Sequence, residues 1–211
     1  MMKISTILFD FDGVVADTEP QYDSYLEKLG MKYLGISDLA EQVKGATNET
    51  VLKHFSHLSP QERDNIEKGI EDFEKQMDFP PVKGVIEFIH YLKEKGYKVG
   101  LVTSSPQFKM DIALKKMNLV GIFDVEITAD DITKGKPDPM CYLLGAERLN
   151  VSPSECLVLE DSLFGVQAGR SAGMRVIGLS TSVSAEKLKE KGAEKVIPDF
   201  ADISFFEEIM K

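Results

Sequence analysis

A chain of 211 residues, 43% apolar, 28% charged and 9% aromatic, has the composition of a globular protein and not of a disordered or fibrous one. Its formal charge of −10 argues against a nucleic acid or an anionic membrane surface as partner, because phosphate backbones are bound mainly through Lys and Arg. The apolar stretches fall far short of the roughly 18 residues of a membrane span, so the expectation is a cytoplasmic protein, a monomer or a dimer, that meets no membrane.

The first element in chain order is a buried strand at residues 4–9, whose apolar run is cut by Asp10 and Asp12 too early for a signal peptide. From residue 17 to residue 81 no strand pattern occurs, which marks an inserted helical unit. Within it Tyr22, Tyr25, Leu26 and Leu29 fall on one helical face, closed by Gly30. Ser59-Pro60-Gln61-Glu62 is a capping-box pattern, opening a helix that runs to about Met77 and stops before Pro80-Pro81. Beyond it Val85, Ile86, Ile89 and Leu92 predict a helix ending at Gly96. Strands follow at 98–102, 125–128, 156–159 and 175–179, and helices at 106–117, 138–149, 163–173, 185–191 and 202–210. Ser105 and Pro106 read as the cap and first-turn proline of the 106–117 helix, and Gly173 and Gly192 as helix stops. Lys187, Lys189, Lys191 and Lys195, interleaved with Glu186, Glu190 and Glu194, read as a solvated helix face. Cys141 and Cys156, with no C-x-x-C pair, read as reduced structural thiols. The alternation of strand and helix predicts an α/β fold with a doubly wound parallel sheet, its core built from residues 1–16 and 82–211 and its helical insertion from residues 17–81.

Three of these strands run into polar residues that are out of place beside apolar runs: Asp10-Phe11-Asp12-Gly13, Thr103-Ser104-Ser105 and Glu160-Asp161-Ser162. Ligands of an open parallel sheet bind outside the carboxyl ends of the strands, so the fold would collect Asp10, Asp12, Thr103, Glu160 and Asp161 in one site. Four carboxylates converge only around a cation, and hard oxygen ligands of this kind suit Mg²⁺.

In these residues the chain resembles the haloacid dehalogenase superfamily, in the branch that holds beta-phosphoglucomutase and small sugar-phosphate phosphatases. The resemblance rests on four motifs in order: Asp10-Phe11-Asp12-Gly13-Val14 with Asp17-Thr18-Glu19, then Thr103, then Lys136-Pro137, then Glu160-Asp161-Ser162 with Gly165 and Gly169. It implies a Rossmann-like core with an all-helical cap inserted after the first motif. Asp10 is then the nucleophile that forms an aspartyl-phosphate, and Asp12 the acid and base that serves the leaving oxygen and the attacking water. Thr103, Ser104 and Lys136 would hold the phosphoryl oxygens. Asp161 would join Asp10 on the metal, Glu160 would order a metal-bound water, and the resemblance adds the backbone carbonyl of Asp12 as a ligand. The cap residues Glu19, Lys44 and Asn48 are expected to face the substrate.

A dehalogenase has no need of Asp12 as an acid, because halide leaves without a proton, so the choice narrows to phosphatase or mutase. Mutases of this family carry an arginine, to grip a second phosphate, in the segment resembling Lys44-Gly45-Ala46-Thr47-Asn48; here that place holds Asn48. The mutase histidine soon after the first motif aligns with Tyr22. The reading is a Mg²⁺-dependent phosphatase acting on a small phosphorylated metabolite, a sugar phosphate first. Beta-phosphoglucomutase activity is the alternative, and a non-catalytic phosphate sensor or partner-binding protein the reading from another class.

Overall fold

Side chains alternate along a strand, so a sheet buried on both faces needs a helical layer on each. In the computed structural model, which describes residues 3–209, β1 (Thr6–Phe9), β2 (Lys98–Val102), β3 (Val125–Ile127), β4 (Cys156–Glu160), β5 (Arg175–Leu179) and β6 (Lys195–Ile197) form one sheet. The strand order is β3-β2-β1-β4-β5-β6, with every neighbouring pair parallel. On one face Ile7 and Phe9 lie in register with Val99 and Leu101 of β2 and with Leu157 and Leu159 of β4. They pack in a shared core with α5 (Val85–Glu94), α6 (Gln107–Lys116) and Phe206 of α10 (Ser204–Ile209). On the other face Leu8, Val102, Val158 and Val176 meet α7 (Met140–Arg148), α8 (Leu163–Ser171) and α9 (Ala185–Lys191). This is a doubly wound α/β sheet of Rossmann type. Its order reverses at β1 and β4, which sets a crevice at their carboxyl ends. Among the described residues no helix is long and apolar enough to cross a membrane.

Between β1 and α5 the chain forms only helices: α1 (Glu19–Tyr33), α2 (Leu39–Val43), α3 (Asn48–Lys53) and α4 (Pro60–Gln76). They have an apolar cluster of their own, built on Leu26, Leu39, Phe55, Ile66 and Ile70. The Ser59–Glu62 capping box is present at the start of α4. The chain enters and leaves this layer side by side. Ala16 and Pro81 form an antiparallel bridge, Asp17 N–H donates to Pro80 O at 2.8 Å, and Val82 N–H donates to Val15 O at 3.1 Å. The Gln21 side chain adds two more bonds, to the backbone N–H and C=O of Asp78.

The structure departs from the sequence expectations in several places. Gly30 does not close α1, which continues to Tyr33; a side chain at position 30 would run into Ile36 O and Leu39, so the glycine serves close packing, and the turn falls at Gly35, φ +71°. Lys195 lies on β6, an edge strand that polar residues disguise, and not on the helix with Lys187, Lys189 and Lys191. Ser105 does not cap α6, whose N-cap residue is Pro106. The Ser-Pro-x-Glu pattern of α4 recurs at Ser152-Pro153-Ser154-Glu155, where its capping box closes a single 3-10 turn before β4 and opens no α-helix. The expected final helix is present at Ser204–Ile209, and its expected last residue, 210, lies outside the described residues. Both cysteines are free and buried, as read.

Phe88 is buried among Phe9, Phe200 and Phe206, with the Phe206 ring centroid 4.0 Å away. Phe88→Ala is expected to lower unfolding free energy by about 3–5 kcal/mol, as a large core cavity does. Urea denaturation measures it, and a loss below about 1 kcal/mol would contradict this view of the core.

Candidate active site

Three strands deliver the polar residues. β1 ends at Phe9 and hands over Asp10; β4 ends in Glu160 and is followed by Asp161; β2 is followed by Thr103 and Ser104. The strands pair in register, so their carboxyl ends lie level, and carboxylate oxygens of Asp10, Glu160 and Asp161 come within 4.8 Å of one another, all buried. Lys136, on the loop before α7, places its Nζ 2.9 Å from Asp10 Oδ1 and 2.6 Å from Glu160 Oε1.

The charges of this group do not balance. Burial pushes the carboxyl of Asp10 up to about 7, with Glu160 and Asp12 adding to the shift and Lys136 opposing it. Burial also raises Asp161 well above the carboxylate range, and Glu19, Glu160 and Asp10 push the same way. Burial disfavours the ammonium of Lys136, but Asp10 and Glu160 outweigh it and hold the lysine protonated. Three carboxylates with one ammonium leave an excess of negative charge in a buried place, so the donor set fits a hard divalent cation held by Asp10 and Asp161.

Glu160 is already saturated. It accepts from Lys136 and Tyr142 on Oε1 and from Ser162 N–H and Oγ on Oε2. Gly165 faces it so closely that any side chain there would collide with its carboxylate. These contacts make Glu160 the anchor of Lys136. The Asp161 carboxylate accepts from the Ser182 hydroxyl on the loop after β5.

Asp12 stands apart from the trio. Its carboxylate receives Lys109 Nζ at 2.6 Å on both oxygens, Thr18 Oγ1 at 2.6 Å and Ser105 Oγ at 2.8 Å. Burial alone would raise its pKa; Lys109 and these hydrogen bonds overcome that and lower it. Lys109 is wholly buried on α6 and completes its donor set with Ser105 Oγ at 2.8 Å. Sequence reading missed Lys109 and Ser105. The signal was there: a lysine on the inward face of α6 beside Met110 and Ala113 needs a buried carboxylate, and Asp12 supplies it.

The remaining expected residues line one cavity with Asp10 and Asp12. Thr103 and Ser104 form its floor; Thr103 Oγ1 accepts from Ser105 N–H, and Ser104 Oγ donates to Gly45 O of the helical layer. Glu19 and Lys44 form an ion pair, in which Lys44 also reaches Asp23 at 3.1 Å. Asn48 donates to both oxygens of Glu74, at 3.2 Å each, and Tyr22 donates to Glu74 at 2.8 Å. Glu74 is a further residue of the cavity wall that the sequence did not single out.

Residues 7–179 match the family model described as haloacid dehalogenase-like hydrolase. The chain is 33% identical to a phosphorylated carbohydrates phosphatase of Thermotoga maritima, over 98% of this chain and all of that protein. It is 30% identical to the validoxylamine A 7'-phosphate phosphatase of Streptomyces hygroscopicus subsp. limoneus, over 96% of each. Among solved structures, a hydrolase from Pseudomonas syringae superposes with a TM-score of 0.82 at 25% identity, covering 97% of this chain and 99% of that one.

Two outcomes are expected from these charges. With folded-state values for Asp10 near 7 and Asp161 also raised, against an unfolded value of 3.8, the native state binds more protons than the unfolded chain between about pH 4 and pH 7. In chelator, the melting temperature therefore falls as pH rises through that window, and Mg²⁺ at pH 7.5 restores it; a rise across the window in chelator would contradict the charge assignment. Lys109→Met strands a buried carboxylate and is expected to cost about 3–5 kcal/mol, while Lys109→Met with Asp12→Asn regains at least about half of that. A double variant no more stable than Lys109→Met, by urea denaturation, would refute the pairing.

Proposed function

The chain belongs to the haloacid dehalogenase-like hydrolase family, and from that premise we propose that it is a Mg²⁺-dependent phosphatase of a small phosphorylated metabolite, a sugar phosphate first, working through an aspartyl-phosphate on Asp10. It is an enzyme, a phosphoric monoester hydrolase, as its relatives named phosphatases are. The observation that carries the reading is a buried aspartate at the end of β1 paired with a buried lysine and grouped with Asp161.

A carboxylate can attack an anionic phosphate only where their repulsion is offset. The Lys136 ammonium supplies part of that, and with the Thr103 hydroxyl and the Ser104 segment it holds the phosphoryl oxygens. Asp10, Asp161 and the Asp12 carbonyl would hold Mg²⁺, with Glu160 ordering a water on it, and the ion would supply neutralisation of the negative charge on carboxylate and phosphate. The Asp10 oxygen then forms a bond to phosphorus as the ester P–O bond breaks, and the electron pair leaves on the alkoxide oxygen. Asp12 gives that oxygen a proton and afterwards takes one from the water that opens the acyl phosphate. Lys109 holds Asp12 ionised in this structure, the state in which it serves the water; the acid step requires that contact to loosen. Residues 17–81 act as a cap that closes over the site, excludes bulk water and presents Glu19, Lys44 and Asn48 to the leaving group.

The mutase reading is the weaker one. A bisphosphate intermediate needs a cation for its second phosphate, and Asn48 is engaged with Glu74 while Lys44 is engaged with Glu19 and Asp23.

Asp10→Asn keeps the shape of the side chain and removes its nucleophilic charge, so turnover is expected to fall by about a thousandfold or more with the melting temperature retained. EDTA is expected to abolish phosphate release and Mg²⁺ to restore it, with a much weaker rescue in Asp161→Ala. Substantial activity of Asp10→Asn, once deamidation is excluded, or full activity in metal-free buffer would overturn the mechanism.

A further inference from the structure

The charges that line the cavity next to Asp10 restrict what can leave. Every lysine at the site already has a carboxylate partner: Lys136 has Asp10 and Glu160, Lys109 has Asp12, and Lys44 has Glu19 and Asp23. Glu74 differs. It projects from α4 into the cavity wall, is 1% exposed, and its hydrogen bonds among the described residues come from uncharged donors, the Tyr22 hydroxyl and the Asn48 amide. A second anionic group entering this space would meet Glu74 with no lysine free to receive it. An alcohol hydroxyl would find an acceptor flanked by Tyr22 and Asn48, which can exchange donors with it. The rest of the wall includes Leu26, Val43, Val51 and Ile70, a surface that suits the carbon backbone of a small molecule.

We infer that the leaving group is an uncharged polyol, that Glu74 is a specificity-determining residue which accepts a hydrogen bond from one of its hydroxyls, and that the same carboxylate excludes esters with a second anionic group. The inference rests on the phosphatase reading and narrows it, since that reading leaves open whether the organic part is charged. Substrate choice is thereby placed on a buried acid of α4, and not only on Glu19, Lys44 and Asn48.

The test compares two esters of the same six-carbon skeleton, sorbitol 6-phosphate and 6-phosphogluconate, which differ in a terminal CH₂OH against a carboxylate, with p-nitrophenyl phosphate as a reference. Phosphate release is followed with the full chain and Mg²⁺. The expected kcat/KM for sorbitol 6-phosphate exceeds that for 6-phosphogluconate by at least about 30-fold, because like charges juxtaposed in a buried site are strongly disfavoured. Glu74→Gln, whose amide oxygen still accepts a hydroxyl, is expected to narrow that ratio by about tenfold, mainly by admitting the gluconate ester. The wild-type ratio stands by itself if this variant fails a thermal-melt check. A wild-type ratio near one, or an unchanged ratio in folded Glu74→Gln, overturns the inference and leaves the phosphatase reading intact. A preference above about tenfold for glucosamine 6-phosphate over glucose 6-phosphate overturns it in favour of a cationic leaving group. No phosphate released from any ester, p-nitrophenyl phosphate included, overturns both.

Discussion

Three carboxylates can share a buried space only if opposite charge lies among them, and the Lys136 ammonium is that charge. Much of the arrangement at the carboxyl end of the sheet follows from this requirement. Glu160 is spent on holding the lysine, with Tyr142 and Ser162 filling its remaining acceptor positions. Gly165 is a glycine because the carboxylate of Glu160 occupies the space of a side chain. One ammonium among three acids still leaves negative charge uncompensated, and the same arrangement that shelters Asp10 therefore suits a divalent cation.

A second buried pair repeats the pattern with a different outcome. Lys109 and Asp12 approach each other from α6 and from the loop after β1, and Thr18 and Ser105 supply the remaining donors to Asp12. Thr18 stands at the N-terminus of α1, where the helical layer begins, so the Asp12 carboxylate is held jointly by the core and by the first residues of the helical layer. The Ser104 hydroxyl reaches Gly45 O in the same way. The two layers thus share hydrogen bonds at the carboxyl end of the sheet, which couples the position of the helices to the state of Asp12.

The residues legible in the sequence were those whose chemistry contradicts their setting. An aspartate after Leu8-Phe9 or a Glu-Asp pair after Val158-Leu159 is conspicuous, and their strand ends converge in any parallel sheet with this order. Strand period and turn residues likewise mark five of the six strands. What escaped was either short or dependent on distant partners. β6 has three residues at a sheet edge, where one face needs no apolar side chain. Gly30 looked like a stop because glycine usually is one, whereas here the constraint comes from Ile36 O and from Leu39 on the next helix. Lys109 pairs with Asp12 across 97 residues and Glu74 with Asn48 across 26, and no local pattern announces such contacts. Ser105 is the instructive case, since Ser-Pro before a helix is a capping signal and its hydroxyl donates instead to the Asp12 carboxylate.

The ribbon formed where residues 15–17 run beside residues 80–82 bears on how the molecule assembles. With the two ends of the insertion held a single backbone hydrogen bond apart, the sheet experiences the whole helical layer as the tip of a tight hairpin. The entropy of closing such a loop grows only with the logarithm of its length, so lengthening or shortening the segment alters that cost by a fraction of a kcal/mol. The entropic cost of pairing β1 with β2 accordingly depends little on the length of that segment. Any segment that brings its own ends to the same spacing meets this closure requirement, and what binds the present one to the sheet beyond it are the contacts of Thr18 with Asp12 and of Gly45 with Ser104.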